Sequence, residues 1–393
     1  MNSKCIIMEK MSFTALIISF FLLFSCGGDD PEIEIPGGGD DDNTESTTGI
    51  DKFSESNIYS INTELVSDYA LQSFSLDSDG SIWYLQSASG DRKHELNLVK
   101  AKPNKSTTVL EAKTDYMRLA YFGHGTNADV EEDGSDRYLW LGAYGSCNSK
   151  GQYWTERLIG RVKYVKGKTV KTDECQEYYY IGDYTDMHPA IDVDNDILTV
   201  NYADPGNSNY RCFVMYRLSE AKKAPMGTFA IKCTDGFKTN NPASTNQIVE
   251  NMYCRDLTKL TPVARMKFLK QGYGGGGATY YDWQGYDVYK DRLYYFEGQS
   301  NYNLTGSFYE GSSYAYVTIF DFDGNIVEER TQVAFVSDKD KIAQIGVSVF
   351  GTMEAEGIKV YKDKLYLGFT ARGIQDVNTK HYQNIFVFDK SKK

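Results

Sequence analysis

The chain has 393 residues, of which 42 are basic and 54 acidic, and its formal charge is −12. An apolar content of 41% excludes a wholly disordered protein, and the acidic balance excludes a nucleic-acid-binding protein, which needs a basic face. The 31 Tyr and 35 Gly, against only 8 Pro, favour many short strands and tight turns over a helical bundle.

An export signal followed by a cysteine lies near the start of the chain. Residues 13–24 read FTALIISFFLLF, an uninterrupted apolar run that follows Lys10. The run is too short to span a bilayer and has the length of a signal-peptide core. It leads into LFSC at 23–26, which resembles a bacterial lipobox. We therefore predict a lipoprotein signal peptide over 1–25 and a lipid anchor on Cys26. The alternative is an ordinary secretory signal with a chance cysteine.

Residues 26–56 are polar, Gly-rich and acidic, and they have no hydrophobic periodicity, which is typical of a disordered tether. They hold ten acidic residues and one Lys, a charge of −9. Because residues 1–25 carry +1, residues 57–393 carry only −4. The start CGGDD resembles lipoproteins of Bacteroidota, in which an early acidic stretch accompanies display at the cell surface. We expect a monomer held by its lipid on the bacterial outer membrane and exposed at the surface.

The folded part contains internal repeats. The segments at 283–298 and 355–370 align without gaps, 72 residues apart, and seven of twelve positions from Gly285 and Gly357 onward are identical. Each copy has two alternating apolar runs around a Lys-Asp pair, which predicts a two-stranded hairpin. Weaker copies begin at Leu71, Gly123 and Met187. A third strand is predicted after each hairpin, at 95–102, 158–165, 212–219, 315–324 and 384–390.

Five such units predict an all-β protein with a five-bladed β-propeller over residues 57–393. The longest gap between units predicts an insertion around 221–280. The last unit has only three strands, so residues 58–66 are expected to supply the fourth strand and close the ring. A β-sandwich with duplicated hairpins is the alternative.

Four segments of the folded part carry a family resemblance: MRLAYFGHGTNADVEEDGSDRYLWLGAYG, QSFSLDSDGSIWYLQS, WQGYDVYKDRLYY and EAEGIKVYKDKLYLG. Together they resemble the TagC-like β-propellers, which include receptor-binding platforms of some staphylococcal phage proteins and are related to helveticin J-type bacteriocins. The resemblance covers roughly 70–390 and implies a five-bladed propeller that binds cell-surface polymers. The lipobox, the acidic tether and the insertion depart from that family.

One polar residue stands at the start of each predicted blade. Since the innermost strands of a propeller surround its axis, these side chains are expected to form one ring at a channel mouth. The ring is either a ligand-binding site or a set of structural hydrogen bonds between blades. For a binding ring, protonation of the histidines predicts pH dependence around 6 to 7. The five residues are Gln72, His124, His188, Gln284 and Glu356.

The sequence gives only weak signals for calcium binding, phosphate binding and disulfide bonds. Three Asp-rich segments, beginning at Asp77, Asp192 and Asp321, resemble calcium loops but lack the acidic residue at position twelve, which favours hairpin turns. The glycine run at 272–278 lacks the Lys-Ser/Thr ending of a phosphate-binding loop. No metal site and no cofactor is predicted. Five cysteines of the mature domain allow 15 arrangements of two disulfide bonds, and the pairing stays open. They are Cys147, Cys175, Cys212, Cys233 and Cys254.

Aromatic residues in predicted loops suit the stacking of sugar rings, and the alternative is that most of them pack between blades. They are Tyr144, Tyr153, Trp154, Tyr178, Tyr179, Tyr180, Tyr302, Phe308 and Tyr309. No motif of a serine hydrolase or a zinc protease occurs, so we do not expect an enzyme. We expect a surface-anchored lipoprotein whose propeller binds a glycan or a cell-envelope polymer. The alternatives are a helveticin J-like toxin and a lyase or hydrolase that uses His124 or His188.

Overall fold

The computed structural model describes Phe53 and residues 57–88, 94–106, 108–207, 210–269, 282–302, 308–347, 353–362, 364–372 and 380–389. The predicted signal peptide, Cys26, nearly all of the tether and the glycine run at 272–278 lie outside the described residues. In the described ranges, no helix has the length and apolar character needed to cross a bilayer.

Within these residues the strands form six sheets, and the five larger ones, each built on four antiparallel strands, are the five blades of the predicted propeller. The strands of blade 1, from the inside outward, are β2 (Leu71–Leu76), β3 (Ile82–Ser87), β4 (Glu95–Ala101) and β6 (Tyr116–Ala120). Those of blade 2 are β7 (Ala128–Asp133), β8 (Asp136–Ala143), β11 (Leu158–Lys163) and β13 (Glu177–Tyr180). Those of blade 3 are β14 (Thr185–Asp192), β15 (Ile197–Ala203), β16 (Tyr210–Arg217) and β19 (Ala264–Leu269).

Blades 4 and 5 complete the ring. The strands of blade 4 are β20 (Asp282–Tyr289), β21 (Arg292–Tyr302), β22 (Phe308–Asp321) and β23 (Ile326–Gln332). Those of blade 5 are β24 (Met353–Tyr361), β25 (Lys364–Arg372), β26 (His381–Asp389) and β1 (Asn57–Glu64). β1 pairs with β26 in antiparallel register, with Asn57 opposite Val387. The start of the domain therefore supplies the last strand of the last blade, as predicted.

The innermost strands pack against one another in chain order. β7 contacts β2 and β14, β20 contacts β14 and β24, and β24 contacts β2. This ring of contacts closes between blades 5 and 1, which confirms the five-bladed propeller. The predicted boundary at residue 57 is slightly late, because the Phe53 ring packs against Phe388 of blade 5 at a centroid distance of 5.1 Å.

Apolar residues fill the interfaces between neighbouring blades. The buried residues form five clusters, one between each pair of adjacent blades. Successive residues of a strand point to opposite faces, so Trp83 packs towards blade 2 whereas Tyr84 packs towards blade 5. Leu139 and Trp140 likewise face blades 1 and 3. Strands buried on both faces explain why these segments read as nearly continuous apolar runs.

The insertion is shorter than the sequence predicts. It occupies residues 218–263, because 264–269 form β19, the outer strand of blade 3. Its two long strands form a hairpin that pairs in parallel with β13 and extends blade 2, with Tyr179 opposite Arg255. The insertion contains α1 (Leu218–Ala221), β17 (Met226–Thr234), α2 (Gly236–Thr239), β18 (Gln247–Asp256) and a 3₁₀ helix at Leu257–Lys259.

The remaining short elements lie in the connections between strands. They are β5 (Leu110–Glu111), β9 (Ser146–Cys147), β10 (Tyr153–Trp154), β12 (Thr169–Lys171), α3 (Lys339–Gln344) and a 3₁₀ helix at Ala334–Ser337. β9 and β10 form a small hairpin between the second and third strands of blade 2. The five cysteines left open by the sequence are all unpaired in the structure, and all but the half-buried Cys175 are buried.

Candidate functional site

Irregular pairing occurs where the innermost strands begin. Blades 1, 3, 4 and 5 each show a register shift at the predicted polar residue or directly next to it. The shifts lie between Leu71 and Ser73, Thr185 and His188, Trp283 and Gly285, and Ala355 and Ile358. A bulge of this kind bends the strand and redirects side chains. Gln72, His188, Gln284 and Glu356 therefore hold related positions, whereas His124 lies in the segment that precedes β7.

Two glycines allow these bulges to approach one another. Gly285 has φ +124° and Gly357 has φ +129°, values that side chains other than glycine rarely adopt. A Cβ atom on Gly357 would lie 3.3 Å from the Cα of Ser73, and one on Gly285 would lie 3.7 Å from the Cα of Gly357. The bulges of blades 4, 5 and 1 are therefore neighbours around the axis.

The five predicted side chains do not share one set of contacts. Gln72 Nε2 donates to the carbonyl of Leu71 at 3.0 Å, and Gln284 Nε2 donates to the carbonyl of Gly298 in its own blade at 3.4 Å. Glu356 is buried on β24. The histidines come closer together, since the charge of His124 acts on His188. A ligand-binding role for the five residues stays a prediction.

Glu156, which the sequence did not single out, connects the two histidines. It is only 2% exposed. Its Oε1 accepts the backbone N–H of His124 at 2.8 Å, and its Oε2 lies 3.9 Å from Nε2 of His188. Gly123 and Gly142 make room for it, since a Cβ atom on either would lie 2.6 Å or less from the Glu156 side chain.

Two tryptophans flank the histidines. The Trp154 ring, at the end of β10, stacks on His124 with centroids 3.8 Å apart and an interplanar angle of 15°. The Trp283 ring lies 5.1 Å from His188, and the guanidinium of Arg211 lies over it at 4.1 Å. Both tryptophans and Arg211 are partly exposed. We call this group the histidine cluster: His124, Trp154, Glu156, His188, Arg211 and Trp283.

Burial sets the charges in the histidine cluster. It raises the pKa of Glu156 to about 8, with a further contribution from the nearby charge of Asp186. Burial also lowers the pKa of His124 to about 4. Burial, together with the nearby charges of Arg211 and His124, holds the pKa of His188 well below its ordinary value. At neutral pH, Glu156 is therefore protonated and both imidazoles are neutral. Desolvation moves the pKa of both histidines below the range of pH 6 to 7 expected from the sequence, and the pH dependence of binding stays a prediction.

A second charged group joins the innermost strands. Lys359 Nζ lies 2.8 Å from Asp129 Oδ2 and 3.4 Å from Asp287 Oδ1. Asp129 also accepts from the Ser75 hydroxyl and the Ile191 N–H, both at 3.0 Å. Asp287 also accepts the N–H of Val360, at 2.6 Å. We call Asp129, Asp287 and Lys359 the axial network. Together with these hydrogen-bond partners, the axial network includes residues of all five innermost strands.

Burial also acts on the ionisation of the axial network, since it raises the pKa of Asp287 to about 7. Burial opposes the charge on Lys359, but Asp129 and Asp287 hold the pKa of Lys359 above its usual value. The three residues are each 5% exposed or less. The inter-blade polar contacts that the sequence proposed for the blade starts are thus found a few residues further along the same strands.

Most of the loop aromatics were assigned wrongly to a glycan surface. Tyr144, Tyr153 and Tyr178 are buried in the cluster between blades 1 and 2. Tyr179 is buried between blades 2 and 3 and stacks near Trp140. The loops of the enlarged blade 2 form a further layer of core that a sequence pattern does not show. Tyr180 stacks on Phe229 of the insertion at 3.9 Å. The side chains of Tyr302, Phe308 and Tyr309 lie outside the described residues.

The Asp-rich segments form turns. Asp77 ends β2, Asp192 ends β14 and Asp321 ends β22. The Asp192 carboxylate accepts the N–H of Asn195 at 3.1 Å, and that of Asp321 accepts the N–H of Asn325 at 2.9 Å. In the part of the chain that the structure describes, no group of three or more His, Cys, Asp or Glu side chains is arranged to hold a metal ion.

Known proteins resemble this chain only weakly. No protein-family model and no curated protein sequence matches it. An α-L-arabinofuranosidase from Lactobacillus brevis is similar over 83% of this chain and 92% of its own, with 9% identity and a TM-score of 0.38. The hydrazine synthase of Kuenenia stuttgartiensis covers 86% and 81%, with 9% identity and a TM-score of 0.32. The polysaccharide lyase Uly1 covers 81% and 90%, with 8% identity and a TM-score of 0.29.

Proposed function

We propose that this protein is a surface-anchored lipoprotein whose propeller binds an extracellular glycan or cell-envelope polymer at the histidine cluster. The observation that carries the proposal is the pair of partly exposed tryptophans, Trp154 and Trp283, beside buried polar groups. Indole faces stack on the apolar faces of sugar rings, while neighbouring polar groups fix the orientation of the hydroxyls.

Rigidity of the two indole rings supports this role. Trp154 is held by its stack on His124, whose backbone N–H is in turn fixed by Glu156. Trp283 is held by its contacts with His188 and with the guanidinium of Arg211. Side chains that are already ordered lose little conformational entropy when a ligand binds. Because the cluster draws on blades 2, 3 and 4, an extended polymer has two separate aromatic contacts available.

The lipid anchor is supported by the sequence. The apolar run at 13–24 and the motif that ends in Cys26 are followed by a stretch of charge −9 between the cysteine and the folded domain. A chain that repels itself extends, which holds the propeller away from the lipid. Cys26 is the residue that we expect to carry the lipid, and the outer membrane is the expected location.

Binding is tested by affinity electrophoresis of the detergent-solubilised full chain against a panel of bacterial and plant polysaccharides. We expect at least one polysaccharide to retard the wild-type protein and Trp154→Ala to weaken that retardation about tenfold, the loss of roughly one stacked ring. The matched control is Tyr253→Ala, since Tyr253 is 64% exposed on the insertion and lies outside the cluster. Equal losses in both variants, or no retardation by any polysaccharide, would contradict the proposal.

Anchoring is tested by Cys26→Ser. If Cys26 carries the lipid, the variant moves from the membrane fraction to the soluble fraction, and lipid mass is absent from its N-terminal peptide. Cys147→Ser is the control, because Cys147 is buried in the core of the propeller. Membrane association that is unchanged in Cys26→Ser would refute the anchor and leave the glycan site untouched.

A further inference from the structure

Tryptophan and arginine share a carboxylate in blade 1. Trp83 Nε1 donates to Asp77 Oδ2 at 3.1 Å. Arg137 donates to both oxygens of the same carboxylate, from Nε and from Nη2, each at 3.0 Å. The bidentate guanidinium and the indole N–H together satisfy a buried carboxylate, which is a strong, charge-assisted arrangement.

The arrangement recurs in blade 2. Trp140 Nε1 and Arg161 Nε both donate to Glu131 Oε2, at 2.9 and 2.7 Å. Trp83 and Trp140 therefore each use the indole N–H on a carboxylate that an arginine also binds. The N–H of a buried indole needs such an acceptor, since a buried donor without one is costly.

In the histidine cluster the same two side-chain types meet without the carboxylate. Trp283 Nε1 and Arg211 Nε are both buried, and neither has a hydrogen-bond partner among the described residues. Arg211 Nη1 donates to Asn201 Oδ1 at 3.3 Å. Arg211 forms no ion pair with an Asp or Glu of the described ranges. The two open donors belong to side chains in contact, since the guanidinium of Arg211 lies over the Trp283 ring at 4.1 Å.

The nearby carboxyl groups do not fill this position. Glu156 is protonated at neutral pH because burial raises its pKa to about 8. Glu297 accepts from Arg330 Nε at 2.6 Å. The charge of Asp186 acts on Glu156, and Asp186 forms no ion pair with Arg211. Tyr295 is buried, and Arg211 acts on its hydroxyl both through its charge and through a side-chain hydrogen bond, so the open donor of Arg211 is its Nε alone.

We infer that Arg211 and Trp283 bind the carboxylate of an acidic sugar, so that the polymer bound by this propeller contains uronic acid residues. The inference rests on the proposed glycan-binding function and adds the class of ligand. Residues 57–393 carry a charge of −4, so the domain has no general attraction for polyanions. Recognition of an acidic polymer therefore depends on local donors, and the two open N–H groups are suitable ones.

The test is affinity electrophoresis of the full chain in gels that contain one polymer each. The acidic polymers are polygalacturonate, alginate and hyaluronan, the neutral ones are dextran, xylan and fully methyl-esterified galacturonan, and dextran sulfate supplies a different anion. We expect at least one polyuronate to retard the wild-type protein, and methyl-esterified galacturonan to retard it less than polygalacturonate if that is the polymer bound. Arg211→Met and Trp283→Phe should each weaken the retardation by about tenfold or more.

Two features keep the result interpretable. Trp283→Phe keeps one aromatic ring while it removes the pyrrole part of the indole with its N–H, and thermal melts identify any variant that is unfolded. Arg217→Met is the control for loss of a positive charge, because Arg217 is exposed at the end of β16. Retardation by neutral polymers alone would overturn this inference while the proposed function stands, and retardation by none would overturn both. Equal binding of dextran sulfate through the same residues would overturn the carboxylate assignment.

Discussion

The axial network and the histidine cluster both involve the innermost strands of the propeller, yet their hydrogen bonds are completed differently. In the axial network, the four oxygens of Asp129 and Asp287 all have partners in the protein, and Lys359 lies between the two carboxylates. In the histidine cluster, Arg211 and Trp283 each keep a buried donor without a partner among the described residues.

This difference separates a structural role from a binding role. A buried charge that is fully paired inside the protein stabilises the arrangement of strands around it, and removing one partner is costly. A buried donor without a partner costs free energy in the unbound protein, and a ligand that supplies an acceptor recovers that cost. Burial and altered pKa values occur in both groups, so neither property alone identifies a binding site.

The largest expected effect comes from opening the ring on which both groups depend. Deletion of residues 27–66 removes β1 with Ile61, and also Leu65 directly after it, and both side chains are completely buried. The deletion exposes the edge of β26 in the blade that carries Lys359, so we expect aggregation or a melting temperature lower by several degrees. Deletion of residues 27–50 is the control and should leave the melt unchanged. Identical melts would show that the ring does not need β1.

The next effect distinguishes the two groups directly. Lys359→Met leaves two buried carboxylates without their cation, and we expect a loss of about 3–5 kcal/mol in the free energy of unfolding. Arg211→Met should cost less, about 1–2 kcal/mol, because it removes the stacking on Trp283 and the hydrogen bond to Asn201 but leaves no buried charge unpaired. Both values are measured by urea denaturation of the purified protein.

A compensating variant sharpens this second comparison. Asp129→Asn and Asp287→Asn, combined with Lys359→Met, remove the stranded charges, so the triple variant should recover part of the loss. If Arg211→Met destabilises the protein as much as Lys359→Met does, Arg211 has a structural role and the contrast between the two groups fails.

The fold could be predicted from the sequence because its signals are local. Each blade repeats an alternating hairpin with a polar turn, and the match between Gly285 and Gly357 aligns two blades residue by residue. The same alignment sets Asp287 opposite Lys359, at the second residue after the glycine. The opposite charges of Asp287 and Lys359 at the same repeat position therefore indicated the axial network in the sequence. That the two side chains pair across neighbouring blades follows only from the closed ring.

The histidine cluster could be predicted only in part. His124 and His188 stand at blade starts and were found by their place in the repeat. Trp154 comes from an extra hairpin of blade 2, and Glu156 comes from the loop that follows it. Arg211 begins the third strand of blade 3, where the repeat shows no special residue. These side chains meet through packing between blades, which no local pattern encodes. The attachment of the insertion to blade 2 is hidden for the same reason.

The last expected effect is seen only as a dependence on pH and concerns the proton on Glu156. The pKa of Glu156 in the folded protein, about 8, lies above its ordinary value of 4.5. The folded state therefore binds this proton more tightly than the unfolded state, so the stability that it contributes is present below pH 4.5 and is lost as pH rises towards 8. Relative to Glu156→Gln, the free energy of unfolding of the wild type should fall by up to about 1.4 kcal/mol per pH unit across that window.

The measurement is a series of urea denaturations from pH 5 to pH 9 on wild type and Glu156→Gln. Asp287 and the histidines titrate in both proteins, so the difference between the two curves isolates Glu156. Glu111→Gln is the control, because the Glu111 side chain is 68% exposed, and its curve should run parallel to that of the wild type.

Above pH 8 the ionised Glu156 introduces a negative charge near Arg211, so binding of a polyuronate should weaken in the wild type and not in Glu156→Gln. Parallel stability curves for wild type and Glu156→Gln would mean that Glu156 is already ionised at neutral pH, which would place a competing carboxylate beside Arg211 and remove the reason to expect an acidic ligand there.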